Sequence, residues 1–202
     1  MTKLNAFFRK IINKRNIKKL KNTNFSLIAS NCNGGFICHD LNLQFKSPFI
    51  NLWLKPNDFI KYLQNIKHYM TQELKFVSED GINYPIGLLD DIKIYFQHYK
   101  TEETAREKWN ERTKRIDLNN IFILFTDRDN CTYQNLLDFD ELPFKNKVVF
   151  THKQYPEIKS AFYIKGFEKE SSVGDCFKFK NNFSGKKIYD QFDYINWFNQ
   201  IL

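Results

Sequence analysis

Four places in the chain gather residue types able to do chemistry. Asn31-Cys32-Asn33-Gly34-Gly35 sets a thiol ahead of two glycines. A thiol becomes a nucleophile once a base or a helix terminus lowers its pKa. Glycine lets backbone amides approach a ligand, and a helix starting there favours an anion. The same letters also describe a small buried thiol beside a tight turn. His98 is the base candidate, or a hydrogen-bonded structural histidine. Lys108, Arg112 and Arg115 are spaced i, i+4, i+7, one basic face able to grip phosphates. Such a face is equally a solvated one paired with Glu107 and Glu111. Asp127 and Asp129 flank Arg128. Two carboxylates one residue apart at a strand end hold Mg2+ or Mn2+ against a diphosphate, although Asp/Asn-rich turns arise for local hydrogen-bond reasons too.

Elements of an α/β chain position these groups. Short apolar runs predict strands at 25–30 (FSLIAS), 92–96 (IKIYF), 120–126 (NIFILFT), 147–151 (KVVFT) and 161–164 (AFYI). Continuously apolar strands suit a parallel sheet covered on both faces. Helical spacing marks 57–73, capped by Asn57 or Asp58, and 101–115, capped by Thr101, with acidic residues first and basic residues last. Ala105 and Trp109 pack the second helix down. Phe192, Ile195, Phe198 and Leu202 suggest a C-terminal docking helix. Segment 34–54 is less regular, with a short strand expected at 49–54. Alternating strands and helices predict a three-layer α/β fold with a mostly parallel sheet. In such a sheet ligands bind beyond the carboxyl ends of the strands. Asn31 to Gly35, His98 and Asp127 to Asp129 follow predicted strands, and Thr151 with His152 stands at the end of another.

The chain has 202 residues, 17% of them aromatic, with Phe at 21 positions. That supports a real core and excludes a disordered or low-complexity chain. The net charge of +8 sits at one end. No acidic residue occurs before Asp40, and from Asp40 onward basic and acidic residues balance at 23 each. A nucleic-acid domain would carry its excess on the folded body, so no nucleic-acid partner is expected. Residues 1–22 read as a basic amphipathic helix, ahead of a single α/β domain over 23–202. Leu4, Phe7, Phe8, Ile11 and Ile12 form its apolar stripe. This stripe packs on the protein's own core or a partner, or lies on an anionic membrane surface through residues 3–21. There is no continuous apolar signal core and no run of about 18 apolar residues. Cys32, Cys38, Cys131 and Cys176 are therefore expected as reduced thiols, in a cytoplasmic protein at most peripheral to the inner face of the membrane.

Asp127-Arg128-Asp129 resembles the D-x-D element of sugar-nucleotide transferases. A wider set appears in order: Asn31 to Gly35, Ser47-Pro48, Tyr84-Pro85-Ile86-Gly87, His98-Tyr99, Glu103, Ala105, Lys108-Trp109, Arg112, Arg115, Asn119-Asn120 and Asp127 to Asp129. Across residues 20 to 165 the chain resembles a bacterial domain of unknown function, number nineteen-nineteen, found in exopolysaccharide and capsule biosynthesis proteins. The resemblance implies a Rossmann-like α/β fold and a role in making cell-surface polysaccharide. Polar Asn33 departs from the apolar or aromatic residue expected after the Cys. The basic N-terminal segment lies outside the resemblance.

The expected function is a transferase of surface-glycan assembly, moving a sugar from a nucleotide-sugar donor to a glycan acceptor. Lys108, Arg112 and Arg115 would neutralise phosphate, Asp127 and Asp129 would hold Mg2+ or Mn2+, and His98 would be the general base. Asn31, Gly34 and Gly35 would cradle the ligand. One alternative is a Cys32-dependent acyltransferase or hydrolase acting on a glycan with His98. Another is a non-enzymatic scaffold of a polysaccharide-synthesis complex.

Overall fold

Residues 3–200 are described by a computed structural model of the chain. Continuous apolar runs become four parallel strands: β1 (Ser26–Ala29), β5 (Ile121–Thr126), β6 (Lys147–Thr151) and β7 (Ala161–Tyr163), hydrogen-bonded in that order. Successive side chains of a strand point to opposite faces. In β5, Ile121, Ile123 and Phe125 enter one core while Phe122 and Leu124 enter the other. The sheet is thus the middle of three layers, as the Rossmann-like reading expects.

One core is closed by α3 (Pro56–Gln64), α5 (Glu102–Thr113) and α6 (Tyr133–Asp140), through Phe59, Trp109 and Phe139 among others. The other is closed by α2 (Asn33–Asp40), through Ile37 and Cys38, and by the C-terminal α7 (Tyr194–Phe198), through Ile195 and Phe198. Leu202, placed in that last helix by its spacing, lies outside the described residues. Thr101 caps α5 by accepting from the Thr104 amide at 3.2 Å, and Thr132 forms a capping box with Asn135 on α6. The helix expected over 57–73 begins at Pro56. It breaks at Asn65 into α3 and α4 (Ile66–Thr71).

Two expectations need correction. The run 92–96 is not in the parallel sheet. Its strand β4 (Ile92–Tyr95) belongs to a separate antiparallel meander with β2 (Leu74–Val77) and β3 (Ile86–Leu89). Ile92 and Ile94 enter the core on one face and Tyr95 is buried against Trp53 on the other, which gave the run the apolar look of a sheet strand. The expected strand at 49–54 is reduced to a single bridge, Trp53 to Tyr95.

The basic segment forms helix α1 (Lys3–Lys19), but it docks by its polar edge. Arg9 and Asp40 are each 5% exposed, and the Arg9 guanidinium donates to the Asp40 carboxylate at 2.7 and 3.1 Å and to Asp190 at 2.6 Å. Lys187 Nζ also donates to Asp40, at 2.7 Å, and the Tyr189 hydroxyl adds another hydrogen bond. Two buried cations thus meet two carboxylates, so that the desolvated charges balance. Asn5 and Asn16 extend this edge along the helix, to Asn181 O at 2.7 Å and to Tyr194 Oη at 2.9 Å. Leu4, Phe7, Phe8 and Ile11 face outward.

Candidate functional site

The helices after adjacent strands leave on opposite sides of the sheet: α2 follows β1 into one core, and α6 follows β5 into the other. Chains diverging from neighbouring strand ends open a crevice between them, the usual ligand position in open α/β sheets. Asn31 spans this opening, its amide nitrogen donating to Thr126 Oγ1 at 2.8 Å.

A cavity of about 600 Å³ lies at the crevice. Asn31 and Cys32 line it from the end of β1, Arg128 and Asp129 from the end of β5, and Gln97 and His98 from the loop after β4. Trp53, Tyr84, Phe36 and Phe177 supply aromatic walls, and Asp175 a further carboxylate. Trp53 is held flat on Tyr95 with ring centroids 4.1 Å apart, and Phe36 on Phe177 at 4.3 Å. The antiparallel meander therefore matters to the site: it carries His98 and Gln97 to a crevice that the parallel sheet defines.

Cys32 stands at the N-terminus of α2 without capping it through its own side chain; the Asn31 side chain accepts from the Asn33 amide there at 3.1 Å. Burial raises its thiol above the usual cysteine range, with Arg128 opposing and Asp175 assisting the rise. The thiol is thus protonated at neutral pH and needs a base to act as nucleophile. His98 is exposed at the cavity and anchored by its backbone amide to Asn51 O at 3.4 Å. Cys38, Cys131 and Cys176 are pushed up to about 12, burial being the largest cause in each. All four cysteines are unpaired.

Asp127 and Asp129 do not act as a pair. Asp127 is buried, and its oxygens accept from the His152 amide at 2.8 Å, the His152 ring at 2.5 Å and the Val173 amide at 2.8 Å. It fastens the ends of β5 and β6 to the C-terminal segment. Of the two, Asp129 alone lines the cavity, exposed there and with φ of 59°. Among the described residues no three His, Cys, Asp or Glu side chains gather as a metal site. Arg128 is itself bound to Asp175 at 2.7 Å.

The expected phosphate face lies outside the cavity. Lys108 pairs with Glu111 at 2.8 Å, and Arg115 reaches the same glutamate and Phe45 O. Arg112 donates to Tyr99 Oη at 2.7 Å and lies over the Phe45 ring. The glycines lie in the first turn of α2 rather than in a loop, and neither lines the cavity. A Cβ on Gly34 would stand 2.6 Å from Ala29 Cβ, so this glycine lets α2 sit directly on β1; one on Gly35 would meet Ile50 at 3.7 Å. Asn33 follows the cysteine at a position as buried as an apolar residue, 1% exposed, with neither side-chain polar atom hydrogen-bonded.

Sequence reasoning placed Asn31, Cys32, His98 and Asp129 here. It missed Trp53, Gln97, Arg128, Asp175 and Phe177. Arg128 had a signal, lying between the two aspartates, and Tyr84 lay within a quoted motif. Asp175 and Phe177 had none, because a loop far along the chain brings them.

Fold and cavity define a Rossmann-like α/β protein with a polar, aromatic-walled crevice at the carboxyl ends of β1 and β5. The chain belongs to the family described as Domain of unknown function (DUF1919), which matches residues 3–199. The match takes in α1 and the C-terminal segment, beyond the 20–165 that the motifs span. A protein of Haemophilus influenzae described as an uncharacterized protein is 55% identical over 188 residues, covering 93% of this chain and 90% of that protein. No helix among the described residues is long and apolar enough to cross a membrane.

Proposed function

We propose that the chain is an enzyme of cell-surface polysaccharide assembly that performs acyl transfer or hydrolysis on a glycan, with Cys32 as nucleophile and His98 as general base. The observation that carries this reading is that Cys32, just past β1, and His98, in the loop after β4, come from different sheets to line one cavity. The aromatic walls suit the apolar faces of sugar rings, and Asn31, Gln97, Asp129 and Asp175 suit their hydroxyls. Exopolysaccharide and capsule proteins are where the resemblance of the motif set lies.

In the proposed cycle His98 takes the Cys32 proton as sulfur attacks the carbonyl carbon of an O-acyl group. The tetrahedral adduct collapses to a thioester, and His98 returns the proton to the departing sugar oxygen. An acceptor hydroxyl or water, deprotonated by His98, then attacks the thioester, and the proton passes back to sulfur. The balance is one ester broken and one ester or acid formed.

The test is 4-nitrophenyl acetate with mass analysis of the quenched protein. An acetyl group on Cys32, absent in Cys32→Ala and formed more slowly in His98→Ala, is expected. Full turnover of an acetylated glycan by Cys32→Ala would overturn the reading.

Glycosyl transfer from a nucleotide-sugar is the second reading, favoured by the Asp129 carboxylate in the cavity wall, placed where it could accept an acceptor's proton. It ranks lower because Lys108, Arg112 and Arg115 are engaged elsewhere. A Mn2+-dependent thermal shift with one nucleotide-sugar, lost in Asp129→Asn, would promote it.

A further inference from the structure

Helix α1 buries the wrong face for an ordinary amphipathic helix. A helix that packs on its own core hides its apolar stripe. Here Asn5 and Arg9 are buried, and Phe7 is 59% exposed, with Leu4, Phe8 and Ile11 exposed beside it. The buried edge is held by the Arg9 to Asp40 and Asp190 contacts, so the stripe is presented by a rigid body rather than by a loose tail.

The neighbourhood extends this surface. Loop 181–185 runs along the helix: Asn5 bonds to Asn181 O and accepts from the Gly185 amide at 3.0 Å. Gly185 has φ of 65°, and a Cβ there would meet the Arg9 nitrogen and Phe8 Cβ at 2.6 Å, so only glycine allows this approach. The loop carries Phe183, 63% exposed. Basic residues complete the face. Lys3, Lys10, Lys14 and Lys18 are exposed along one flank, and Arg15 and Lys18 continue the stripe at i+4 and i+7 from Ile11. A second cavity of about 340 Å³ beside the helix is lined by Arg15, Lys19 and Lys186 together with Asp190 and Asp193. The helix has no acidic residue.

We infer that α1 and the 181–185 loop form a docking face for an anionic lipid bilayer. Leu4, Phe7, Phe8, Ile11 and Phe183 enter the interface, and the lysines and arginines reach lipid phosphates around them. Charge selects this occupant. A second copy of the same face would bring two α1 helices without any acidic residue together, and their like charges oppose association. The inference is independent of the chemistry assigned to the cavity.

The test is flotation of the full chain with phosphatidylglycerol/phosphatidylcholine vesicles and with phosphatidylcholine alone, together with sedimentation velocity without lipid. Binding to the anionic vesicles, weakened by salt and near background on phosphatidylcholine, is expected. Changing Lys10, Lys14 and Lys18 together to Gln should weaken it about a hundredfold, since each contributes about fivefold. Phe7→Glu with Ile11→Glu should abolish it. Both side chains are exposed, so the melting temperature should hold; Phe183→Glu on the loop gives a second disruption outside the helix. No binding to anionic vesicles, or equal binding to both compositions, would overturn the inference. So would a lipid-free dimer that Phe7→Glu converts to monomer, which would assign the face to a second copy.

Discussion

Asn31 Nδ2 and Thr126 Oγ1 meet at 2.8 Å across the ends of β1 and β5, and the same Asn31 side chain accepts from the Asn33 amide at 3.1 Å. One amide thus sets the width of the crevice and the start of the helix that bears Cys32. Thr126→Val keeps the shape and removes the acceptor, leaving a buried amide donor unpaired at a cost of about 1–3 kcal/mol. Urea denaturation should show that loss, and alkylation of Cys32 should quicken as the crevice loosens.

Cys32 alkylation should report its environment. Because burial lifts the thiol, its reaction with iodoacetamide should be slow at neutral pH. The rate should rise at a pH above the value of about 8.5 for a free cysteine. Arg128→Ala removes the cation that opposes this rise and should move the profile further alkaline. A profile centred near neutral pH would contradict the burial.

The two glycines of α2 should respond oppositely. Gly34→Ala drives a methyl into Ala29 and should cost about 1–3 kcal/mol. Gly35→Ala finds ordinary contact with Ile50 inside a helix and should stabilise by about 0.4–1 kcal/mol. Thermal melts of the two variants decide. A ligand cradle would instead make both changes harmful to binding with stability unaffected.

The Arg9 to Asp40 pair should make folding sensitive to acid. Burial alone raises the Asp40 carboxyl, but hydrogen bonds from Lys187 and Tyr189 and the charge of Arg9 outweigh it and hold the group below its ordinary value. A depressed folded-state pKa gives stability that is present above the unfolded value of about 3.9 and lost as pH falls through the folded one. Arg9→Met should cost about 3–5 kcal/mol at pH 7, since it leaves buried carboxylate charge under-compensated. The gap to wild type should shrink below about pH 3.9, as urea titrations at several pH values would show.

Asp127 and Asp129 should separate by phenotype. Asp127→Ala removes the acceptor of His152 and Val173, leaving two buried backbone amides unpaired at about 1–3 kcal/mol each. Asp129→Asn touches only the cavity wall and should leave the melting temperature within about 2 °C, a change of about 1 kcal/mol or less. Equal destabilisation by both would contradict the division.

The sequence by itself determined the layered architecture and much of one wall of the crevice. Ile121 to Thr126 are apolar at every step but the last, and only a strand covered on both faces accommodates that pattern, so β5 was legible along with β1 and β6. Residues that follow such strands, Asn31, Cys32 and Asp129, could be placed at the crevice for the same reason. Tertiary structure decided what local pattern cannot encode. Ile92, Ile94 and Tyr95 are buried like residues of a central strand, but pairing with β3 put them in another sheet. The apolar stripe of α1 faces outward because Asp40, Asp190 and Lys187, distant in sequence, form a charged socket that Arg9 completes. Arg112 and Asp127 have side chains suited to ligands, but Tyr99 and His152 hold them. Trp53, Asp175 and Phe177 enter the cavity only through long-range folding. Spacing shows what a residue can do, and the partners that folding brings decide whether it remains available.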